Sequence, residues 1–156
     1  MCDETYMQMA IEKCREGIAA GQTPFGACIV LNGEVVALEH NVVWHTTDIT
    51  AHAEVNAIRK ACKKLNTISL KGAVIYSTCE PCPMCFSAIH WAGISRIVYG
   101  AGISDASDAG FNELPISNQQ LRELGKTEVD ITDGVLRDEA CRLFQEWKKG
   151  PASRSY

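Results

Sequence analysis

The sequence predicts an α/β fold, in which helices sandwich one mixed β-sheet. Two observations support this. Apolar runs of strand length alternate along the chain with segments of helical periodicity. The chain has 156 residues, of which 46% are hydrophobic, and this is enough for one domain with its own core. No repeat or low-complexity linker divides the sequence, so we expect a single domain over residues 1–156.

The N-terminal part predicts a helix followed by a β-hairpin. Asp3 can cap a helix over residues 4–20. Two apolar runs, 26–31 and 34–38, flank Asn32-Gly33, a pair that favours a two-residue hairpin turn. We therefore expect the first two strands to be neighbours in the sheet.

The middle of the chain predicts two helices, each followed by a strand. A helix from about 51 to 65 precedes an apolar strand over 73–78. A second helix over 82–92 precedes a short strand over 96–99. This alternation is typical of a sheet that is covered by helices.

Beyond Gly102 the pattern weakens. Ser117 can cap a helix that runs to Leu124, and residues 128–131 favour a fifth strand. Residues 135–149 have clear helical periodicity and predict a final helix.

Composition and charge exclude several classes of function. A formal net charge of −4 gives no general attraction to nucleic acid, and no apolar run reaches the roughly 20 residues of a membrane span. The basic residues that cluster on one predicted helix are Arg59, Lys60, Lys63 and Lys64. Eight cysteines without a secretion signal indicate reduced thiols, some of them metal ligands. We therefore expect a cytoplasmic protein that binds no membrane.

Two short segments carry residues suited to bind zinc. They are His52-Ala53-Glu54 and Pro81-Cys82-Pro83-Met84-Cys85. One imidazole (His52) and two thiolates (Cys82, Cys85) can supply three ligands to a tetrahedral Zn²⁺ and leave a fourth position for water. A structural zinc site with Cys79 as fourth ligand is the alternative, but Pro81 interrupts the even spacing of the three cysteines. The spacing favours an open, catalytic site.

Glu54 is the expected proton carrier for a zinc-bound water. Residues two apart diverge inside a helix, so His52 and Glu54 converge only in a first turn, where Thr50 as the cap would place them. Pro81 suits the entry to the second helix, whose first N–H groups favour the thiolate forms of the two cysteines. We therefore expect two helix starts to face each other across the site.

These segments resemble the H-x-E…P-C-x-x-C signature of the zinc-dependent cytidine-deaminase superfamily. The matching segments are HAEVNAIRKA and CEPCPMC. The resemblance implies a three-layer α/β/α sandwich around one mixed five-stranded sheet. It also implies one zinc ion per chain on His52, Cys82 and Cys85, with Glu54 moving protons during hydrolytic deamination.

Within the superfamily, the chain is most similar to the small bacterial guanine deaminases. The similarity covers about residues 5–113 and implies conversion of guanine to xanthine and ammonia. The tRNA-adenosine deaminases share the zinc segments, but usually carry leucine at the position of Cys79 and valine or isoleucine at that of Phe25. Deamination of tRNA adenosine, cytosine or guanosine is therefore the enzymatic alternative, and a zinc-stabilised interaction module is the non-enzymatic one.

By position, the same resemblance implies a set of substrate-binding residues. They are Phe25, Asn41, Ala53, Trp91, Glu113 and Tyr156. Phe25 would pack on the base, Asn41 would bond its polar edge, and Trp91 would form a wall near the zinc. The alternatives are core positions for Phe25 and Trp91, a bond from Asn41 to its own backbone, and a surface position for Glu113.

Glu113 gives the best physical indication of the substrate, because a carboxylate accepts hydrogen bonds from the amino and ring N–H groups of guanine. The segment Asn112-Glu113-Leu114 departs from the guanine deaminases, which commonly have two aspartates there. The longer acid would change the recognition distance by about one methylene.

The C-terminal segment from about residue 135 has two interpretations. In the family, this segment can cap an active site, often that of the partner in a homodimer, and Tyr156 matches that pattern. The last residues, GPASRSY, also have the composition of a free tail.

Overall fold

The computed structural model describes residues 2–156 and contains one mixed sheet of five strands in the order β2-β1-β3-β4-β5. The strands are β1 (Gly26–Leu31), β2 (Glu34–His40), β3 (Val74–Cys79), β4 (Arg96–Ala101) and β5 (Asp130–Thr132). Strand β1 pairs antiparallel with both β2 and β3, whereas β3, β4 and β5 run parallel. The predicted mixed sheet is therefore confirmed.

Helices cover both faces of this sheet. They are α1 (Asp3–Ala19), α2 (Val43–Thr46), α3 (Ala53–Leu65), α4 (Pro83–Ala92), α5 (Ile103–Asp108), α6 (Asn118–Gly125) and α7 (Arg137–Lys148). Neighbouring residues of β1 serve opposite faces: Ile29 packs in the core with α3 and α4, and Cys28 in the core with α1 and α7. This arrangement confirms the three-layer sandwich.

The hairpin between β1 and β2 has the predicted turn. Asn32 and Gly33 both adopt positive φ, 53° and 81°. Positive φ at both central residues is the requirement of the type I′ turn, which Asn-Gly meets at low cost. The turn sets β1 beside β2, with a register irregularity between Ile29 and Val30.

The start of α1 differs from the prediction. Asp3 is the first residue of the helix and not its cap, and Cys2 occupies the N-cap position. The Asp3 carboxylate instead pairs with the Arg96 guanidinium at 2.7 Å and accepts a hydrogen bond from the Tyr76 hydroxyl at 2.8 Å. The Asp3 carboxylate therefore bonds to distant residues and not to the N–H groups of its own helix.

Two further details position the site. The short helices α2 and α5, which the sequence did not predict, follow β2 and β4. Strands β3 and β4 end side by side, with Cys79 in register with Ala101, and α3 and α4 begin near these ends. Between residues 2 and 156, no helix combines the length and the hydrophobicity that crossing a membrane would require.

Candidate active site

Three side chains at two helix starts form a cluster that suits a metal ion. The His52 Nδ1 atom lies 3.7 Å from the Cys82 Sγ atom and 3.5 Å from the Cys85 Sγ atom. Zinc–nitrogen and zinc–sulfur bonds of normal length at a tetrahedral angle separate such atoms by about 3.5 Å. The donor set and its spacing therefore fit a zinc ion with three protein ligands.

The first helix start places its ligand differently from the prediction. His52 itself is the N-cap of α3, with extended backbone, and its carbonyl accepts the first helical bond from the Asn56 N–H. Thr50 is not the cap, because its hydroxyl donates to the Asp48 carboxylate at 2.7 Å. The convergence of His52 with Glu54 in the first turn is still reached.

The second helix start shows the same pattern. Cys82 is the N-cap of α4, and Pro83 occupies the first turn, where its missing N–H is not needed. Pro81 therefore precedes the helix and does not open it. Without a metal, a hydrogen bond from the Cys85 thiol, aided by His52, lowers the pKa of Cys82 to about 4 against the opposing effect of burial. Cys82 is thus prepared to supply a thiolate ligand, whereas the same hydrogen bond, together with burial, raises the pKa of Cys85.

Glu54 lies behind the ligands in the core of the protein. Its side chain is buried, and its Oε1 atom accepts a hydrogen bond from the Ser77 hydroxyl at 2.9 Å. Burial, followed by the negative charge of Cys82, raises the pKa of Glu54. A carboxylate with a raised pKa and a fixed orientation is suited to accept and return a proton. Ser77, which holds this orientation, had no signal in the sequence.

A cleft of about 340 Å³ leads from the surface to this cluster. His52, Cys82, Glu113 and Tyr156 are among its lining residues. The volume lies in the range of small-molecule sites. Phe25 joins the wall where the cleft narrows beside Glu54.

Glu113 is a half-buried carboxylate in this cleft and not a surface residue. Burial, followed by the negative charges of Cys82 and Glu54, raises the pKa of Glu113 to about 7. It lines both the open cleft and its inner part. The structure therefore brings Glu113 to the zinc ligands, although 28 positions separate it from the nearest of them, Cys85.

The C-terminal segment closes one side of the cleft. The Tyr156 hydroxyl accepts a hydrogen bond from Asn41 Nδ2 at 2.7 Å, and its ring centroid lies 5.8 Å from that of His52. Trp44 holds the tail just before this point: the Arg154 guanidinium lies 3.9 Å over the Trp44 ring, and the Arg154 carbonyl accepts a hydrogen bond from the Trp44 indole N–H. In the structure, the tail thus docks on its own chain.

The sequence model described as the cytidine and deoxycytidylate deaminase zinc-binding region matches residues 1–101. The chain belongs to this family of zinc deaminases. The family assignment and the ligand geometry confirm the predicted zinc cofactor and the class of enzyme, a zinc hydrolase.

Individual relatives in this family include enzymes with different substrates. The guanine deaminase of Bacillus subtilis is 46% identical over 96% of this chain and 99% of its own length. The tRNA-specific adenosine deaminase of the same organism is 36% identical over 94% and 91%. The solved guanine deaminase of Nitrosomonas europaea superposes with a TM-score of 0.84 at 32% identity, covering 92% of this chain and 83% of that one. The predicted resemblance to guanine deaminases is confirmed.

The side chains of two predicted substrate residues do not line the cleft. Trp91 is 85% exposed at the end of α4, beside Leu121 and Leu124 on the surface, and does not line the cleft. Ala53 is fully buried, and its methyl group packs in the core under α3. Only the main chain of Ala53 is therefore available to a substrate.

Phe25 and Asn41 combine a structural and a site position. Phe25 stacks edge-on against Phe111 with ring centroids 4.9 Å apart, and still lines the inner cleft. Asn41 is fully buried, and its Oδ1 atom accepts a hydrogen bond from the Val43 N–H. This matches the alternative prediction that Asn41 bonds the neighbouring backbone. Its Nδ2 group points to Tyr156 and hence towards the site.

Proposed function

We propose that this chain deaminates guanine to xanthine and ammonia. The observation that carries the proposal is the position of Glu113, whose carboxyl group lines the cleft together with the metal ligands His52 and Cys82. A carboxylate accepts hydrogen bonds from the 2-amino and ring N–H groups of guanine and repels bases that present acceptors there. The high identity to the guanine deaminase of Bacillus subtilis supports the same base.

The chemistry follows from the residues around the cluster. His52, Cys82 and Cys85 would hold the zinc ion, which when bound supplies a water whose pKa is lowered to near 7. Glu54 takes a proton from the attacking water and gives it to the ring nitrogen next to the reacting carbon. It then takes the second proton from the oxygen now bonded to that carbon and gives it to the leaving amine. In the net reaction, a C–O bond forms, the C–N bond breaks, and water and guanine become xanthine and ammonia.

The other lining residues hold the base in place. Phe25 offers a ring for stacking, and the Tyr156 ring lies beside that of the metal ligand His52. Asn41 donates from its amide N–H₂ group to the Tyr156 hydroxyl in the structure. When the base binds, this hydrogen bond breaks and the same N–H₂ group donates to a carbonyl of the base. These contacts exclude bulk water and orient the carbon that bears the amine.

The test is a substrate panel. Zinc-loaded protein is incubated with guanine, guanosine, adenine, cytosine and cytidine, and ammonia release is followed for each. We expect guanine to give the highest kcat/KM, with the zinc-loaded Glu54→Gln variant as the matched blank. Turnover of a pyrimidine without turnover of guanine would contradict the proposal.

Deamination of adenosine in tRNA is the second candidate, because one such enzyme is 36% identical over most of both chains. The basic cluster on α3 is partly neutralised, since Lys60 pairs with Glu39 and Arg59 with Asp48. We therefore expect weak, salt-sensitive tRNA binding without inosine. Inosine in an anticodon stem-loop treated with the protein would favour this candidate over guanine.

We also propose that the protein is a homodimer. Trp91 and Leu124 are 85% and 81% exposed and flank one groove on α4 and α6. Exposed aromatic and leucine side chains around a groove are typical of an interface. Light scattering after gel filtration tests this: we expect twice the chain mass, and a shift towards the monomer with Trp91→Glu.

The proposed setting is purine metabolism in the cytoplasm. The eight cysteines are free thiols in the structure, and the metal ligands among them must stay reduced to bind zinc. A reducing compartment meets this requirement. Fractionation of cells with an antibody to the protein provides the measurement.

A further inference from the structure

Glu80 lies between the zinc-binding segment and the loop that carries Glu113. It follows the last residue of β3, it is only 9% exposed, and its N–H donates to the Ala101 carbonyl at 2.7 Å. Cys82 comes two positions later. The backbone of Glu80 is thus fixed to β4 immediately before a metal ligand.

The carboxylate of Glu80 binds the first N–H group of two different helices. Its Oε2 atom accepts from Ile103 of α5 at 3.2 Å, and its Oε1 atom accepts from Asn118 of α6 at 2.8 Å. The chain between these helices, 109–117, contains Glu113. One side chain therefore fixes the helices on both sides of the Glu113 loop.

Asn118 completes the connection from the other direction. Its side chain is fully buried, and its Nδ2 group donates to the Pro81 carbonyl at 2.6 Å. Its Oδ1 atom has no partner, and the opposite amide orientation would set this oxygen against the Pro81 carbonyl. Buried polar atoms are nearly always paired, so an unpaired Oδ1 atom carries a cost. That the amide still donates to Pro81 indicates that this hydrogen bond constrains the structure.

We propose that Glu80 and Asn118 are positioning residues that hold Cys82 and Glu113 in a fixed relation. Pro81 and Glu80, the two residues before Cys82, are both bonded to Asn118, so the N-cap position of Cys82 depends on α6. The same two side chains set the ends of the Glu113 loop. The part concerning Glu113 rests on the proposed function, whereas the part concerning zinc does not.

Glu80→Gln tests the proposal with almost no change in volume. One of the two acceptor oxygens becomes an N–H₂ group that faces a helix N–H, so one of the two bonds is lost. We expect the zinc dissociation constant, measured by chelator competition, to rise about 10-fold or more, as for other residues that support metal ligands. The visible spectrum of the Co²⁺-loaded protein should shift, and KM for guanine should rise.

Asp3→Asn is the matched control. Asp3 is also a carboxylate that ties a helix to the sheet through two partners, Arg96 and Tyr76, but it lies at the opposite end of β4. We expect this variant to lose thermal stability while its zinc affinity, Co²⁺ spectrum and KM stay within about twofold of the wild type. A merely structural role for Glu80 would give the same pattern, and that outcome would overturn the proposal.

Asn118→Ala provides the second variant and decides the question if Glu80→Gln does not fold. It removes the bond to Pro81 while the main-chain bond to Glu80 stays. We expect weaker zinc binding here as well, and unchanged zinc affinity in a folded Asn118→Ala protein would refute the positioning role. Zinc affinity and the Co²⁺ spectrum do not depend on which base is turned over, so they separate this inference from the guanine assignment.

Discussion

The two sides of the cleft are built in different ways. The zinc side uses His52, Glu54, Cys82 and Cys85, which come from two segments and lie at the first turns of α3 and α4. The opposite side takes its residues from four separated parts of the chain. They are Phe25, Asn41, Glu113 and Tyr156.

This difference separates the chemistry from the choice of base. A helix start is set mainly by residues within a few positions, so the zinc side is formed by its own two segments, apart from the support that Asn118 gives to Glu80 and Pro81. The opposite side forms only after the ends of two strands, a loop and the C-terminal tail have come together. Changes on the zinc side should therefore abolish the reaction for every substrate, and changes on the opposite side should alter affinity and selectivity.

The largest effect is expected from Cys82→Ala. Loss of one of three ligands should remove the metal, all measurable turnover and some thermal stability, because metal binding and folding are coupled. Cys79→Ala is the control, since the Cys79 thiol faces the Gly102 carbonyl at 3.5 Å and is not among the clustered ligands. Metal analysis and melting curves measure both. Loss of zinc in the Cys79 variant would show that the zinc side has a ligand beyond His52, Cys82 and Cys85.

Glu54→Gln should reduce kcat by about 10²- to 10⁴-fold, the usual contribution of a positioned proton carrier. The amide keeps the size of the side chain and its acceptor for the Ser77 hydroxyl, so zinc should remain bound. The kcat value and the zinc content of the purified variant are the measurements. A variant that loses zinc together with activity would assign Glu54 to the metal ligands.

Substitutions of Tyr156 should act mainly on substrate affinity. Tyr156→Phe removes the hydroxyl that competes with the base for the Asn41 amide, a bond worth about 1 kcal/mol, so KM should fall by about fivefold. Tyr156→Ala also removes the ring over the cleft and should raise KM instead. Steady-state kinetics with guanine give both values. An unchanged KM in the Ala variant would show that the tail does not contribute to recognition.

The smallest effect concerns a contact remote from both sides. Burial raises the pKa of Asp3, but hydrogen bonds from Arg96 and Tyr76 outweigh it and lower the pKa below its usual value. A lowered pKa stabilises the fold above the unfolded value of about 3.9, and this contribution disappears as the pH falls through the folded value. The melting temperature of Asp3→Asn should therefore be lower than that of the wild type at pH 6, and the difference should shrink towards pH 3. A difference that persists at pH 3 would contradict the assignment.

The sequence allowed prediction of most of the architecture for local reasons. Periodicity located the five strands and the longer helices, and Asn32-Gly33 specified its turn. The helices α2 and α5 have four and six residues, too few for a periodic pattern. The capping roles expected for Asp3 and Thr50 were wrong because other acceptors and donors compete for the same side chains.

Within the site, the zinc ligands could be predicted from two short segments, whereas few residues of the opposite side of the cleft could. Trp91 illustrates the difference: the buried residues Cys85, Phe86, Ile89 and Ala92 follow helical spacing, and Trp91 falls outside that stripe. Trp91 is therefore exposed, whereas the sequence analysis expected either a wall near the zinc or a core position. Nothing local in the sequence shows that Tyr156 meets Asn41, because their contact depends on the docking of α7 and the tail.

The hydrogen bond between Asn41 and Tyr156 also has a consequence for the order of folding. It joins residues 115 positions apart, whereas the sulfur and nitrogen ligands are at most 33 apart. Long-range contacts carry a larger loop-closure cost and form after local ones. On the ribosome, the ligands and β4 emerge about 55 residues before Tyr156. A nascent chain can thus bring the three ligands together before α6 supports their geometry and before Tyr156 covers them.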